Sequence, residues 1–415
     1  MRVNKITIKN FKKFKELDLT FKDGVNILIG NNASGKTSIL EALKILLGGY
    51  FYGINSHLTS SPSIHKTRDV QNIIDEQGKL KFNYPTCLYA EGIVHGERVK
   101  WNRDLNRAKG STTIAGLSHI KTIVSKHSDD TQPIIAYYGI DRLKQQKKEH
   151  GSYKKQERFI AYRDALNASA SIGDFAKWFE NEDRISYKQG MNTNALQIVS
   201  EAIKNSLPNC NMVFYDPALS DIIIIDENNK RTAFSLMSDG YKLITSLIGD
   251  LAYRCAVLND HLGIECLNKT TGVVLIDEVE IHLHPSWQQR VVNDLKRSFP
   301  KIQFIISTHS PIVLSGVEAN VIRLGESGVY GEELLTYGRR PEYIMYSEQG
   351  VISRNEKIQG EIDKFYVLIE SKEGLKEAKV ILESLFIKQF GERDPDTVRA
   401  KGDYEFALME FNVEE

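Results

Sequence analysis

The 415-residue chain has no excess of either charge, with 54 Lys and Arg set against 54 Asp and Glu. A protein that coats nucleic acid carries a broad positive field, so any contact with nucleic acid is expected to be local. No run reaches the roughly 18 consecutive apolar residues that a membrane-spanning helix needs, and the opening "MRVNKITIKNF" alternates instead of forming an apolar leader block. No membrane partner is expected. Cysteine is scarce: Cys87, Cys210, Cys255 and Cys266 show neither C-x-x-C pairing nor metal-ligand spacing. Reduced, structural thiols of a cytoplasmic protein are the expectation. Internal repeats, low-complexity tracts and sustained heptad seams are also missing, which excludes a long coiled-coil arm.

What is present is a 41% hydrophobic composition, enough to fill a sizeable core. "VNKITI" and "ELDLTF" alternate, while "VNILI" is continuously apolar like a strand buried on both faces. From Gly48 to about Gln132 the chain reads as a β-rich lobe, with strand-like "KLKFNY" and "CLYAEGIV", followed by the apolar "PIIAYY". "FAKWFENE" and "ALQIVSEAIKNSL" carry apolar residues at helical spacing. "DIIIIDENNKRTAF" reads as a hairpin around Glu227 to Lys230, after which strands and helices alternate to about Leu324.

"GNNASGKTS", between "VNILI" and "ILEALKILL", fits G-x-x-x-x-G-K-[ST] on Gly30, Gly35, Lys36 and Thr37, with Asn31, Asn32, Ala33, Ser34 and Ser38 completing the loop. Its backbone N–H groups and the following helix start suit a phosphate. Lys36 is placed to reach the β- and γ-phosphates of ATP, and Thr37 to offer a hydroxyl to Mg²⁺. Ile39, Leu43, Leu46 and Leu47 mark the buried face of that helix. In "GVVLIDEVEIHLHPSW" an apolar strand, Val273 to Ile276, ends in acids. Asp277 stands where a Mg²⁺ ligand belongs, and Glu278 is the candidate general base. "KIQFIISTHSPIVL" supplies another buried strand, Phe304 to Ile306, ending in Ser307, Thr308 and His309; His309 is a candidate γ-phosphate sensor. His282 and His284, beside Glu280, allow either a metal site or, with Pro285 starting a helix, a loop shaped for subunit contact.

"ITIKNFKKFKELDLTF", "GNNASGKTS", "LMSDGYK", "VVLIDEVEIHLHP" and "STHSP", in this order over roughly Met1 to Leu324, resemble the ABC-type ATPase heads of the RecF, SMC and OLD-like group. The resemblance implies an α/β P-loop head in which Ser238 and Gly240 contact the γ-phosphate held by a second subunit, although "LMSDGYK" departs from the commoner L-S-G-G-Q. The residues agree in part, since Ser238, Asp239 and Gly240 open the helix-like "SDGYKLITSLIGDLAYRCAVL", and a helix start attracts anions. "PIIAYYGIDRL" and "YRDALNASASIGDFAKWFENED" are similar to the Septu anti-phage ATPase PtuA and retron-associated relatives, which implies a separate HNH nuclease as partner. In such heads a glutamine senses Mg²⁺, a role open here to Gln145, Gln146 or Gln132.

Two stretches fit more than one reading. "DRLKQQKKEHGSYKKQERF" crowds Arg142, Lys144, Lys147, Lys148, Lys154, Lys155 and Arg158 around Tyr153, as either a solvated loop or a phosphate-backbone patch. "VLIESKEG", Val367 to Gly374, superficially resembles the first acidic motif of a Toprim nuclease, but no D-x-D follows to hold its metals. Ile362, Phe365, Leu368 and Ile369, then Leu375, Ala378, Ile381, Leu382 and Leu385, predict two amphipathic helices joined near Ser371, available to cover the sheet or dock a partner. The expected layout is an N-terminal ATPase lobe over 1–139, a helical insertion over 140–210, a second ATPase lobe over 211–330 and a helical extension over 331–415. The expected activity is ATP hydrolysis in a homodimer or higher oligomer that gates a nuclease in anti-phage defence. The alternatives are a DNA-binding repair ATPase of RecF type and a nucleotide-gated scaffold with little turnover.

Overall fold

Alternating and continuous apolar runs sort the strands into different sheets. The structure, a computed structural model, describes all residues except 55–60, 75–77, 141–157, 168–170, 191–192, 326–327, 329–333, 351–353 and 412–415. Strand β1 (Arg2–Phe11) pairs antiparallel with β2 (Phe14–Thr20), setting Ile8 opposite Leu17 and Ile6 opposite Leu19. After β3 (Val25–Gly30) and helix α1 (Lys36–Leu47) come the small hairpin β4 (Asn72–Ile74) and β5 (Leu80–Phe82), then β6 (Thr86–Val94) and β7 (Glu97–Leu105). The antiparallel sheet has the order β2-β1-β6-β7. A register shift between Val3 and Lys5 lets β1 bury Val3 and then Ile6 and Ile8, since one extra residue reverses which side faces the core.

Helix α2 (Ser118–Lys126) lies within the region read as β-rich. It leads to β8 (Ile134–Tyr138), buried at every position. Helices α3 (Ser171–Gln189) and α4 (Asn194–Ser206) follow, the latter capped by the Thr193 hydroxyl, which accepts from the Leu196 N–H. Strands β9 (Cys210–Asp216), β10 (Asp221–Asp226) and β11 (Arg231–Ala233) form a three-stranded antiparallel sheet with the anticipated hairpin between the last two. Phe175 and Phe179 of α3 and Leu196, Val199 and Ile203 of α4 share one core with Val274, Ile276 and Ile306. These helices therefore form a layer of the head and not a lobe standing apart from it.

The sheet that positions the site is parallel throughout, in the order β14-β3-β13-β12-β8. Its later members are β12 (Gly272–Ile276), β13 (Ile302–Ser307) and β14 (Asn320–Leu324), reached through α5 (Asp239–Leu258), α6 (Cys266–Lys269), α7 (Pro285–Gln288), α8 (Val291–Ser298) and α9 (Pro311–Gly316). Tyr138, Ile276 and Ile306 stand in one row, and Ser307 pairs with Leu28. The carboxyl ends of four strands thus share one edge. α5 is buried along most of its length, and its Asp250 accepts from both Arg254 Nε (2.8 Å) and the Tyr138 hydroxyl (2.6 Å). Arg254 also donates to the carbonyls of Ala161 and Arg163. Burial penalises the Arg254 charge, but Asp250 and Tyr138 more than offset that and hold its pKa above the ordinary value.

Contacts divide the chain into Met1–Ile344 and Met345–Glu415. Helix α10 (Pro341–Gln349) straddles the division. The second unit contains α11 (Glu356–Leu368), α12 (Leu375–Ile381), which continues into a wider π-helical winding over Leu382–Phe390, and α13 (Pro395–Glu410). The two expected amphipathic helices are there, and their apolar faces close on each other and on Ala400, Tyr404 and Ala407 of α13. Those faces form the core of this unit. All four cysteines are free thiols, and among the described residues no helix is long and apolar enough to cross a membrane. Replacing Arg254 by Met is expected to lower stability by about 3–5 kcal/mol, because it leaves the Asp250 carboxylate buried without its charged partner. The reading is a lower urea midpoint at unchanged slope; a loss under about 1 kcal/mol would show that the pair does not anchor the 158–163 segment.

Candidate nucleotide site

β3 runs buried to Ile29 and releases the chain at Gly30, and α1 begins at Lys36. The residue before it, Gly35, has a left-handed φ of 101°, and a Cβ there would lie 2.3 Å from Cζ of Phe14. Glycine is required on both counts. No acid stands in the first turn of α1 and no side chain caps it, so its first N–H groups and its positive dipole end are left to whatever fills the loop. A cradle of this kind fits the phosphates of a nucleotide. Lys36 is 6% exposed and donates to the carbonyls of Gly30 (2.8 Å) and Asn31 (3.2 Å). Ser34 is buried beside it, Ser38 partly buried, and Asn31, Asn32, Ala33 and Thr37 are exposed. Lys13, from the β1–β2 turn, donates to the Ala33 carbonyl at 3.0 Å and brings a second cation to the loop.

At the same sheet edge Asp277 follows β12, 1% exposed, its N–H donating to the Tyr138 carbonyl at 2.8 Å. Its carboxylate accepts from the Ser307 hydroxyl (2.5 Å), whose oxygen in turn accepts from the Glu278 N–H (2.8 Å). Glu278 is half-buried with φ 47°, a conformation few non-glycine residues adopt. One Glu280 oxygen accepts from the Thr308 hydroxyl (2.8 Å) and the other from the His309 N–H (2.5 Å). Burial lowers the Lys36 pKa, while the carboxylates of Glu278, Asp277 and Glu280 pull it the other way. Burial and then the Lys36 charge also lower the His309 pKa, leaving its ring neutral at neutral pH. Lys36, Asp277, Glu278, Glu280 and His309 thus share one electrostatic environment. The Asp277 carboxylate and the Thr37 hydroxyl are hard oxygen donors of the type Mg²⁺ takes.

Ser238, Asp239 and Gly240 line a different groove, of about 560 Å³, with Tyr241, His282, His284, Ser286 and Trp287. α5 begins at Asp239 with Ser238 before it, and the Ser238 side chain does not cap the helix. A Cβ on Gly240 would sit 3.0 Å from the His282 carbonyl, so a small residue lets the helix start approach the loop after Glu278. The metal alternative for His282, His284 and Glu280 fails. Thr308 and His309 engage both Glu280 oxygens, and His284 Nδ1 caps α7 by accepting from the Ser286 N–H.

Gln145 and Gln146, and the basic cluster from Arg142 to Lys155, lie outside the described residues. Gln132 is described and faces elsewhere. It precedes β8 at the amino end, fully buried, with its amide nitrogen donating to the carbonyls of His127, Ser128 and Asp130. Sequence reasoning missed the roles of Ser307, Glu280 and Lys13 at the site. The polar "STHS" ending β13 was the available signal for the first, and the basic "FKKFK" turn for the last.

A family model described as "AAA domain" matches residues 5–211, and one described as "AAA domain, putative AbiEii toxin, Type IV TA system" matches residues 112–315. The retron Ec83 probable ATPase of Escherichia coli is 26% identical over 400 residues, covering 79% of this chain and 72% of the relative. The Septu protein PtuA of Bacillus thuringiensis is 27% identical over 365 residues, covering 84% and 81%. A shorter match, 44% identical over 103 residues, joins 25% of this chain to 26% of the DNA replication and repair protein RecF of Halalkalibacterium halodurans. The phosphate loop, the parallel sheet and these matches define a P-loop ATPase of α/β fold. Within that class the chain is similar to the retron and Septu ATPases over most of its length and to RecF over a quarter of it, in keeping with the resemblance to ABC-type heads carried by its motifs. Ser307→Ala is expected to cost about 1–3 kcal/mol, because it removes a donor to a buried carboxylate and the acceptor of the Glu278 N–H. A thermal or urea melt unchanged from the parent would show that the hydroxyl does not set the two acids.

Proposed function

We propose that the chain binds ATP with Mg²⁺ and hydrolyses it where two copies of the head face each other. The observation that carries this reading is the meeting of Lys36, Asp277, Glu278 and His309 at one sheet edge, while Ser238, Asp239 and Gly240 open onto a different groove. In the proposal Lys36 and the loop N–H groups hold the β- and γ-phosphates, and Thr37 and Asp277 hold the cation. Mg²⁺ supplies charge neutralisation on the phosphate oxygens when bound. Glu278 accepts the proton of the attacking water, its carboxylate aimed by the backbone turn that Ser307 fixes. The neutral His309 ring hydrogen-bonds the γ-phosphate or its water. Ser238 and Gly240 of a second copy close the site, so that ATP binding favours the closed pair and hydrolysis its release.

We further propose that this cycle gates a nuclease subunit, of HNH type, in anti-phage defence. The likeness to retron and Septu proteins over more than three quarters of the chain supports it. A second reading, a repair ATPase acting on DNA, is favoured by the RecF match alone, which covers a quarter of the chain. Steady-state hydrolysis with and without DNA separates the two: the repair reading requires salt-dependent DNA binding by the isolated ATPase. Glu278→Gln is expected to retain ATP binding, to lower hydrolysis by about 10²–10⁴-fold and to accumulate as a dimer in ATP by light scattering. Hydrolysis at the parent rate would remove Glu278 from the base role, and a monomer in saturating ATP would remove the two-copy site.

A further inference from the structure

Away from the nucleotide edge, at the amino end of β8, two turns bring imidazoles and carboxylates together. The β6–β7 turn is two residues long, His95 and Gly96, both with positive φ (46° and 83°), closed by pairing of Val94 with Glu97. It presents His95 and Glu97 from a tight hairpin. The second turn follows α2 and carries His127 and Asp130. The donor atoms of His95, His127 and Asp130 all lie within 4.8 Å of one another, and Glu97 Oε1 is 3.9 Å from His127 Nε2.

Buried groups behind these side chains fix how they present themselves. The Gln132 amide nitrogen faces three carbonyls, those of His127, Ser128 and Asp130, so its oxygen must face the Tyr50 hydroxyl at 2.8 Å. Tyr50 therefore spends its one proton on Gln132, and its oxygen accepts from His95 Nε2–H at 2.8 Å. The neutral His95 ring is thereby held in the tautomer whose Nδ1 lone pair is open to a ligand. The same Gln132 clasps the backbone of the turn that carries His127 and Asp130. Tyr50 and Gln132 are both fully buried. Support of this kind, which fixes a tautomer and a ligand-bearing turn together, is how metal sites orient their ligands.

We propose that His95, His127 and Asp130 hold a divalent transition-metal ion, with water completing its coordination. Two imidazole nitrogens and carboxylate oxygens form a donor set for Zn²⁺ and its neighbours, not for Mg²⁺. Donors on a tetrahedral ion stand about 3.3–3.5 Å apart. The ion replaces the proton shared by His127 Nδ1 and Asp130 Oδ2, now 2.5 Å apart, and the two part by about 1 Å. The His127 ring, stacked on His95 with centroids 4.9 Å apart and planes at 9°, turns about χ2 to bring its Nδ1 lone pair toward the ion, while His95 keeps its bond to Tyr50. The bound ion ties the hairpin of the antiparallel sheet to the entry of β8.

The test uses the full-length chain stripped with chelator, titrated with Zn²⁺ by calorimetry and with Co²⁺ by visible absorption, without nucleotide. About one ion per chain is expected, with the strong absorption of four-coordinate Co²⁺ and a raised melting temperature. His127→Ala and Asp130→Asn should each weaken binding at least about tenfold, and Tyr50→Phe, which removes no ligand, by about 10–100-fold. Asp130 is exposed, so that variant reports even if a histidine variant misfolds. No saturable binding by the parent overturns the proposal. So does parent-like Zn²⁺ affinity in Asp130→Asn and His127→Ala, which would show that the ion binds elsewhere on the chain.

Discussion

The register of three parallel strands is the constraint on which the nucleotide edge depends. Ile276 of β12 pairs with Ile306 of β13, and Ser307 pairs with Leu28 of β3. The loop after Gly30, the acids after Ile276 and the polar end of β13 therefore emerge side by side. A slip of one residue in β13 would send the Ser307 hydroxyl to the opposite face of the sheet. Asp277 and the Glu278 N–H would lose it together. Because the strands are buried on both faces, such a slip would also unseat the packed apolar residues of β13, so the core enforces the geometry of the site.

The loop is organised before any phosphate enters. Two carbonyls already hold the Lys36 ammonium, so a phosphate exchanges partners with it and does not satisfy an orphan. What binding adds is charge: a polyanion against a buried ammonium, the uncapped start of α1, and Lys13 at the rim. The carboxylates of Glu278, Asp277 and Glu280 work against that attraction. A cation held there would remove the opposition, in keeping with the proposed joint binding of nucleotide and Mg²⁺.

Much of this was legible in the sequence. "VNILI" before "GNNASGKTS", and "GVVLI" before Asp277 and Glu278, announce buried strands that stop at polar ends, and the structure builds β3 and β12 there. The contacts that aim those residues were not legible, since they join distant positions. Ser307 meets Asp277 across 30 residues, Lys13 meets Ala33 across 20, and Glu280 meets His309 across 29. Asp250 and Arg254 stand at the ordinary i, i+4 spacing of surface pairs, and only the fold buries them. α13 falls within the expected helical extension but its apolar face was not singled out, because that face is built from Ala400, Tyr404 and Ala407, too small and sparse to raise an apolar period. Gln132 stood open as a Mg²⁺ sensor and proves to lie at the opposite end of β8, where a buried amide orders two turns.

The two helix starts differ in a way that bears on the proposed closure. α1 has no acid in its first turn, whereas α5 carries Asp239 there. An acid at that position satisfies part of the helix dipole and lowers its attraction for an incoming phosphate. The departure of "LMSDGYK" from L-S-G-G-Q thus has a physical meaning: the helix end alone is a weakened anion site. Ser238 compensates in kind, since its hydroxyl is exposed and does not cap its own helix, leaving it able to donate across an interface. Closure in such a head would lean on one hydroxyl and on the exposed His282 and His284 of the same groove more than on the dipole.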